Sequence, residues 1–436
     1  MAAARVMRRR IDTRRGGMYP NTMNAHSPRP HRGSPPPHKR SAETLIRFFA
    51  TAAKGLEPLV ADELRALGAK EVKEARGGAS FEGAPVDAYR ACLWLRTANR
   101  VLMPVARFEA PDAAALYAAI RKMPWEQDVS PDGTLAVDFS GTSDTLTNTQ
   151  FGAQKVKDAI VDRFRDLTGR RPDVDRARPD LLVNCHLYRG LATVSIDLSG
   201  DSLHMRGYRE AGVAAPLKEN LAAALLLKCG WPEIARRGGS FVDPLCGSGT
   251  LVIEAALMAG DVAPGLLRDY WGFQGWLKHD QGLWEQVLMQ ARDRQNAARG
   301  KGPAILGADM DAKAILASQK NARTAGVAPA VRFEHRALSD NMLPANLQAG
   351  LVVTNPPYGE RLGTIETLGP LYKGIGDWLK AHCLHWKAGV ITDNLDLAKQ
   401  IGLRARKINS FYNGALECKL LQFDVEEVLY AGGDLR

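Results

Sequence analysis

The stretch Thr354-Asn355-Pro356-Pro357-Tyr358-Gly359 decides the fold of the carboxyl-terminal half, because it directly follows the apolar run Ala349-Gly350-Leu351-Val352-Val353. Neither proline can donate to a sheet ladder or enter a helix interior, so the pattern predicts a buried strand that ends abruptly. The Asn-Pro-Pro-Tyr tetrad is then a stiff loop at the carboxyl end of that strand. This end is where open α/β sheets bind ligands.

The tetrad carries the groups that an exocyclic amino group of a purine or pyrimidine requires. The side-chain carbonyl of Asn355 and the backbone carbonyl of Pro356 can accept its two N–H donors while the ring of Tyr358 stacks on the base. The amino nitrogen is then aimed at an electrophile. For this motif taken alone, an ordinary proline-stiffened turn is the alternative.

A glycine turn lies upstream, in Ser240-Phe241-Val242-Asp243-Pro244-Leu245-Cys246-Gly247-Ser248-Gly249-Thr250. The apolar stretch that follows predicts a strand, a turn and a helix, with the glycines permitting close approach of a ligand and Thr250 capping the helix. A dinucleotide fingerprint fails because Val252 occupies its third glycine position. Asp243, placed before the turn, suits a cationic ligand better than a pyrophosphate.

A third motif is Ala304-Ile305-Leu306-Gly307-Ala308-Asp309, a second strand that ends in an acid. We expect Asp309 to bind the two hydroxyls of a ribose, as acids at strand ends do in nucleotide-binding sheets. A solvated loop carboxylate is the alternative for Asp243 and for Asp309 when each is considered singly. The three motifs together favour an α/β nucleotide-binding sheet.

These motifs resemble those of the class I S-adenosylmethionine-dependent methyltransferases that modify exocyclic amino nitrogens. The segment Ala215-Pro216-Leu217-Lys218-Glu219-Asn220-Leu221-Ala222 resembles the motif that leads into that domain. The stretches Phe49–Glu57 through Asp197–Gly200 resemble a ferredoxin-like plus THUMP RNA-binding region. From Thr44 onward the chain is similar to the bacterial family that methylates guanine N2 in 23S ribosomal RNA.

The resemblance implies a fold, a cofactor and a set of site residues. The expected fold is an α/β Rossmann-like methyltransferase domain preceded by an α+β ferredoxin-like/THUMP region, and S-adenosylmethionine is the expected cofactor. The expected catalytic residues are Asn355, Pro356, Pro357 and Tyr358. The expected cofactor-binding residues are Lys218, Asn220, Asp243, Pro244, Gly247, Gly249, Thr250, Asp309 and Asn355.

The resemblance also implies binding partners and domain boundaries. We expect 23S ribosomal RNA or a pre-ribosomal particle as partner, a cytoplasmic location and no metal, with the oligomeric state left open. Expected bounds are residues 1–43 for a tail, 44–88 for the ferredoxin-like part, 89–200 for THUMP and 201–436 for the methyltransferase domain. Because the chain ends at Arg436, a stand-alone N2 enzyme without a fused second methyltransferase domain is expected.

Several alternatives stay open. A tRNA guanine is the strongest competitor to 23S ribosomal RNA as acceptor. Adenine-N6 DNA methyltransferases and a glutamine methyltransferase of release factors share the same tetrad, although the THUMP-like region argues against both. A non-catalytic RNA-binding ribosome-assembly factor is the alternative from a different functional class.

Charge does not by itself indicate RNA binding by the folded part. Residues 1–40 hold ten basic residues and one acid, Asp12, out of 58 basic and 48 acidic residues in the chain. The remainder therefore has 48 basic and 47 acidic residues. The tail is rich in Pro, Arg and His without apolar periodicity, so we expect it to be disordered.

Six isolated cysteines and no apolar run of membrane length favour a reduced intracellular protein.

Periodicity in the first half predicts mixed α+β structure. Strands are expected at Leu45–Thr51, Val72–Phe81 and Leu135–Ser140, helices at Leu56–Leu64, Val86–Asn99, Pro111–Lys122 and Phe151–Ile160, and a hairpin at Leu181–Tyr188 with Leu191–Leu198. From the resemblance, the expected contacts to RNA phosphates are Lys155, Lys157, Arg163, Arg170 and Arg171. A solvated helix face without a ligand is the alternative for each of these cations.

Two features of the second half need separate interpretation. Residues 268–276 hold four aromatics, with Trp284 following, and we favour a local core over a surface that stacks RNA bases. After the strand Val331–His335, related enzymes place an acid near the adenine ring, whereas Ala337 occupies that turn here. Backbone amides or the next acid, Asp340, would then hold the adenine.

Overall fold

The computed structural model describes residues 45–209, 217–340, 342–358, 365–414 and 416–426. The tail expected to be disordered lies outside these ranges. So do Ala215 and Pro216 of the segment leading into the second domain and Gly359 at the end of the opening motif.

One eight-stranded sheet organises the amino-terminal half, in the order β2-β3-β1-β4-β8-β7-β5-β6. Its strands are β1 (Ile46–Thr51), β2 (Lys70–Ala75), β3 (Gly78–Gly83), β4 (Arg100–Glu109), β5 (Thr134–Thr142), β6 (Asp173–Val174), β7 (Leu181–Tyr188) and β8 (Leu191–Asp197). The antiparallel pairing of β4 with β8 joins the ferredoxin-like strands to those of the THUMP region. The two regions therefore share one sheet.

Four helices pack against this sheet: α1 (Glu57–Ala66), α2 (Pro85–Trp94), α3 (Ala113–Lys122) and α4 (Thr149–Thr168). Side chains of Asp112 and Asn148 cap α3 and α4 by accepting from backbone N–H groups at 2.8 and 2.9 Å. The bound predicted after residue 88 falls inside α2. The domain bounds as a set stay a prediction.

One sequence prediction in this half is wrong. The stretch Val72–Phe81, expected as a single strand, is the antiparallel hairpin of β2 and β3. The chain reverses at Gly77, whose φ of +81° is a conformation that glycine adopts without steric cost. The other predicted strands and helices and the β7–β8 hairpin of this half are confirmed, although α2 ends at Trp94 rather than Asn99 and α4 continues beyond Ile160 to Thr168. Strand β4 was not predicted.

The carboxyl-terminal half is a seven-stranded sheet in the order β11-β10-β9-β12-β13-β15-β14. Its strands are β9 (Phe241–Asp243), β10 (Ile305–Asp309), β11 (Arg332–His335), β12 (Leu351–Thr354), β13 (Lys387–Thr392), β14 (Lys407–Asn413) and β15 (Leu416–Asp424). β9 to β13 are parallel, and β15 and β14 add antiparallel pairings. The order reverses on either side of β9, which makes a ligand-binding crevice at its carboxyl end. The expected Rossmann-like domain is confirmed.

The described part of this half contains seven α-helices: α5 (Glu219–Lys228), α6 (Trp231–Arg236), α7 (Thr250–Ala259), α8 (Gln281–Ala298), α9 (Ala312–Thr324), α10 (Ile365–His382) and α11 (Leu395–Gln400). Of these, α8 packs against α2 of the amino-terminal half. Leu221 to Leu226 are all buried in α5, as expected for an apolar helix. No helix in the described ranges is long and apolar enough to cross a membrane.

The aromatic residues of the insertion between α7 and β10 pack into a core, as expected. That core is the hydrophobic core of the amino-terminal half. Trp271 and Phe273 are buried in the same cluster as the helices of the first sheet. Tyr89 of α2 lies 4.7 Å from Phe273, measured between ring centroids, and its hydroxyl is hydrogen-bonded to Nδ1 of His279 at 2.8 Å. These rings are therefore occupied in joining the two halves.

Candidate active site

Three functional side chains lie at the carboxyl ends of adjacent parallel strands. Asp309 ends β10, Asp243 ends β9, and Asn355 follows β12, in the sheet order β10-β9-β12. Because parallel strands end at one edge of a sheet, residues far apart in sequence meet along one crevice. The structure thus brings the three sequence motifs together.

Asp243 is almost completely buried, at 1% exposure. Its Oδ1 accepts a hydrogen bond from the backbone N–H of Leu245 at 3.1 Å. Burial raises the pKa of this carboxyl to about 7, and the charge of Asp309 adds to the rise. A cationic ligand beside Asp243 would favour the ionised form, so the group fits the methionine end of S-adenosylmethionine. Its neighbour Pro244 is buried with it.

The glycine turn contains two glycines with different environments. Gly247 has a φ of +52°, and a Cβ at this position would meet no atom within 4 Å, which leaves space for a ligand against the backbone. Gly249 has a φ of +82°, and a Cβ there would lie 2.9 Å from Cβ of Ser318 and 3.0 Å from the ring of Phe333. Packing alone therefore requires glycine at 249. Its contact with cofactor stays a prediction.

The predicted cap of α7 is wrong. The N-cap position is Gly249, and Thr250 is the first residue of the helix, without a capping side-chain hydrogen bond. The hydroxyl of Thr250 instead accepts from the guanidinium of Arg209 at 3.0 Å. Arg209 also donates to Glu219 at 2.8 Å and to the carbonyl of Leu217 at 2.7 Å. The turn is thereby tied to the start of α5.

Asp309 braces the glycine turn from the next strand. Its Oδ2 accepts from the backbone N–H of Gly247 at 2.8 Å, and its Oδ1 accepts from the N–H of Asp311 at 2.9 Å. A carboxylate oxygen has two acceptor sites, so each oxygen can still accept from a ribose hydroxyl. The carboxylate is oriented for a ligand by two backbone donors.

The Asn-Pro-Pro-Tyr tetrad, predicted to be catalytic, contains an unsatisfied acceptor. Oδ1 of Asn355 is closed to solvent and has no hydrogen-bond partner in the described part of the chain. A buried acceptor without a donor costs about 1–3 kcal/mol, which a substrate N–H would recover. Pro356 is buried beside it, and the carbonyl of Pro357 lies 3.3 Å from the hydroxyl of Tyr372. The loop thus contains one buried acceptor that is left without a donor among the described residues.

Tyr358 is held by residues of the antiparallel strands β14 and β15. Only 8% of the residue is exposed, and its hydroxyl lies 3.4 Å from Nδ2 of Asn413 and 3.7 Å from Sγ of Cys418. Burial, above all, raises the pKa of this hydroxyl. The ring is fixed in position, and its stacking on a substrate base stays a prediction.

Lys218 and Asn220 lie at the start of α5. Lys218 is exposed at the N-cap position, whereas the buried amide of Asn220 donates to Oδ1 of Asn99 at 2.8 Å. Asn99 belongs to the amino-terminal half, in the segment just before β4. The predicted cofactor role of both residues stays a prediction, and Asn220 additionally links the two halves.

At the adenine end, the turn after β11 leads into a short 3-10 helix, Leu338–Asp340. Asp340 is exposed, and its Oδ1 accepts from the hydroxyl of Ser339 at 3.0 Å. The backbone N–H of Arg336 donates to the carbonyl of Asp309 at 2.9 Å, so this turn lies next to the acid predicted to bind ribose.

The predicted RNA contacts lie on and after α4, and most of them are paired with acids. Arg163 donates to both carboxylate oxygens of Glu126, at 2.8 and 2.6 Å. Lys157 forms an ion pair with Asp158 at 2.7 Å, whereas the ammonium of Lys155 lies 5.3 Å from the ring centroid of Phe151. Arg170, predicted with them, donates to Asp132. Binding of RNA by these side chains would exchange a carboxylate for a phosphate, and it stays a prediction.

Three protein-family profiles match the chain: the RlmL ferredoxin-like domain at residues 47–102, the THUMP domain at 110–197 and the RMKL-like methyltransferase domain at 206–422. The crystal structure of SMU.472, a methyltransferase complexed with S-adenosylhomocysteine, is 31% identical with a TM-score of 0.76. That match covers 88% of this chain and 100% of SMU.472. The chain belongs to the THUMP-domain class I methyltransferases. S-adenosylmethionine is the cofactor of this family.

Two further relatives bear on the substrate. A ribosomal RNA large subunit methyltransferase K/L from Syntrophotalea carbinolica is 55% identical over 391 residues, covering 89% of this chain and 55% of the relative. The chain spans about half the length of the curated relatives it matches. A predicted N6-adenine-specific DNA methylase from Listeria monocytogenes is 32% identical, with a TM-score of 0.75 over 87% of this chain and 96% of that protein.

Sequence reasoning missed one polar residue at this edge. Asp393 directly follows β13, the parallel neighbour of β12, and its Oδ1 is closed to solvent without a hydrogen-bond partner in the described ranges. The apolar stretch of β13 that ends in an acid was the available indication, since Asp243 and Asp309 were found by the same pattern.

Proposed function

We propose that this chain transfers a methyl group from S-adenosylmethionine to the exocyclic N2 of a guanine in 23S ribosomal RNA. The observation that carries the proposal is the buried, unpartnered Oδ1 of Asn355, in a proline-stiffened loop at the crevice of a methyltransferase fold. The ribosomal acceptor is supported by the name of the K/L relatives and by the THUMP match. A cytoplasmic location is expected to follow.

The residues at the three strand ends fit the cofactor. Asp243 would hold its cationic methionine end, Asp309 its ribose, and the open backbone at Gly247 would lie against it. When bound, S-adenosylmethionine supplies an electrophilic methyl group on a sulfonium. The protein therefore has to align and desolvate the attacking nitrogen rather than activate the electrophile.

The tetrad supplies that alignment. Oδ1 of Asn355 and the carbonyl of Pro356 accept the two N–H bonds of the guanine amino group, which draws its lone pair out of conjugation with the ring. Tyr358 packs against the flipped base. After transfer the nitrogen carries an extra, acidic proton, so it loses that proton readily and no His or Cys base is required.

A competition between acceptors tests the substrate class. Purified protein with radiolabelled S-adenosylmethionine is incubated with naked 23S ribosomal RNA, tRNA or duplex DNA at equal nucleotide concentration. We expect label in 23S ribosomal RNA and background counts in DNA. Preferential labelling of DNA would favour the acceptor named for the Listeria relative, and preferential labelling of tRNA would replace the ribosomal acceptor while keeping the reaction.

A further inference from the structure

Asp393 and Asn355 emerge at the same edge of the sheet from neighbouring parallel strands. Thr354 of β12 pairs with Val390 of β13, and Asp393 is the first residue after β13. Neighbouring strands lie about 4.8 Å apart, so both loops border the same part of the crevice.

A buried tyrosine connects the two loops. The hydroxyl of Tyr372 lies 3.0 Å from Oγ1 of Thr392 and 3.3 Å from the carbonyl of Pro357. On the other side of Asp393, the side chain of Asn394 caps α11 by accepting from backbone N–H groups at 2.9 and 3.1 Å. Asp393 is thus held between two anchored residues, at a fixed place relative to the catalytic tetrad.

The environment of Asp393 differs from that of the other two acids at this edge. Asp243 accepts one backbone N–H and Asp309 accepts two. Asp393 accepts none in the described ranges, and its Oδ1 is closed to solvent. The cap of α11 is Asn394, so Asp393 does not serve the helix. Its Oδ1 has no hydrogen-bond partner in the described ranges, which is the condition of Asn355 Oδ1 as well.

The same carboxylate lies close to the hydroxyl groups around the tetrad. Burial chiefly, and the negative charge of Asp393 in part, raise the pKa of the hydroxyls of Tyr358 and Tyr372. Asp393 is therefore near enough to act on both hydroxyls, and it would be a third acceptor beside those of Asn355 and Pro356.

Guanine has the complementary set of donors. Beside its N2 amino group lies N1–H, so the neighbouring positions N1 and N2 both donate and O6 accepts beyond them, whereas adenine has the lone pair of N1 beside its N6 amino group. We propose that Asp393 accepts the N1–H of the target guanine and thereby selects guanine over adenine. This inference rests on the proposed guanine-N2 reaction. An adenine presented to the same acceptors would place its N1 lone pair against a carboxylate.

The test uses RNA in which the methylated guanine is replaced by 2-aminopurine. This base keeps the 2-amino group, but its N1 is an acceptor without a proton. We expect the unmutated enzyme to show a much higher kcat/KM for guanine than for 2-aminopurine. In Asp393→Asn, loss of a charged hydrogen bond should lower kcat/KM for guanine by about tenfold to hundredfold.

In the Asp393→Asn variant, the side-chain amide can donate a hydrogen bond to N1 of 2-aminopurine. The kcat/KM for that base should therefore stay the same or rise. The ratio of the two kcat/KM values should therefore fall by about tenfold or more. The matched control is Asp396→Asn, an exposed acid on α11 that pairs with Lys399 at 2.7 Å, and it should leave the ratio unchanged. Affinity for S-adenosylmethionine, measured by calorimetry, should be equal in all three proteins.

Two results would overturn the inference while leaving the proposed function intact. One is an equal kcat/KM of the unmutated enzyme for guanine and for 2-aminopurine. This result does not depend on the folding of any variant. The other is an unchanged ratio in Asp393→Asn. A methyl group found on adenine rather than guanine would overturn the proposed function, and the inference with it.

Discussion

The backbone N–H of Gly247 donates to Oδ2 of Asp309 at 2.8 Å, across the gap between β9 and β10. This contact couples the glycine turn to the acid that we propose binds the ribose of the cofactor. The position of the turn and the proposed binding of ribose would therefore depend on one carboxylate.

Asp309→Ala should weaken binding of S-adenosylmethionine by about 1.5–3 kcal/mol for each charged hydrogen bond lost to ribose. Asp309→Asn keeps an acceptor oxygen and should lose less. Calorimetry measures both, with Asp293→Ala, an exposed acid on α8, as control. An unchanged affinity in a folded Asp309→Ala variant would contradict the ribose assignment.

The raised pKa of Asp243, about 7, predicts a pH dependence for cofactor binding. Below that value the free protein holds a proton on Asp243, and a cationic ligand must displace it. Affinity should fall by roughly tenfold for each pH unit below the pKa. Titrations between about pH 5.5 and 7.5 should show this slope in the unmutated protein and a flat, weaker affinity in Asp243→Asn.

Without cofactor, the raised pKa of Asp243 makes the stability of the fold depend on pH in the opposite direction. A carboxyl whose pKa is higher in the folded than in the unfolded chain stabilises the fold at low pH, and this contribution is lost as pH rises through about 7. Asp243→Asn should remove that loss, so its Tm should exceed that of the unmutated protein above neutral pH. Equal pH profiles of Tm would show that Asp243 does not titrate in this range.

Asn355→Ala should leave fold and cofactor affinity nearly intact and reduce turnover strongly, because a misaligned amino group loses the positioning that the site provides. Asn355→Asp keeps the acceptor oxygen and should retain partial activity. The exposed Asn296 of α8 provides the matched control, Asn296→Ala. If neither variant at 355 changes kcat, the loop is only a stiff turn.

Trp271→Ala should destabilise the whole protein, since this buried ring joins the insertion to the amino-terminal core. Removing a buried aromatic side chain costs about 3–5 kcal/mol. Trp94→Ala, at a half-buried ring under the guanidinium of Arg294, should cost less. Chemical denaturation followed by far-UV circular dichroism compares the two. Equal losses would mean that Trp271 is not a junction residue.

The sequence predicted the parts of the fold and site that depend on local patterns. Asp243, Asp309 and Asn355 each follow an apolar run, and a parallel sheet necessarily collects such strand ends. The hairpin at Gly77 was missed although Gly77-Gly78, a pair typical of tight turns between strands, stands in the middle of the stretch. The partner of Thr250 could not be predicted because Arg209 is distant in sequence and reaches it only in the folded chain.

The junction between the two halves was also beyond local reasoning. A cluster of aromatics indicates a core, but periodicity does not say which helices it packs on, and α2 is far upstream. Asp393 was overlooked although it follows an apolar stretch, as Asp243 and Asp309 do. Its significance comes from its place beside β12 and from the absence of a partner for its Oδ1 in the described ranges.

The most direct measurement is the identity of the methylated nucleoside. After reaction with unlabelled 23S ribosomal RNA, the RNA is digested to nucleosides and analysed by mass spectrometry against synthetic standards. The account predicts N2-methylguanosine from the unmutated protein and much less of it, in the same reaction time, from Asn355→Ala. N6-methyladenosine, or any methylated base other than N2-methylguanosine, would contradict the claim that this crevice presents the amino group of guanine.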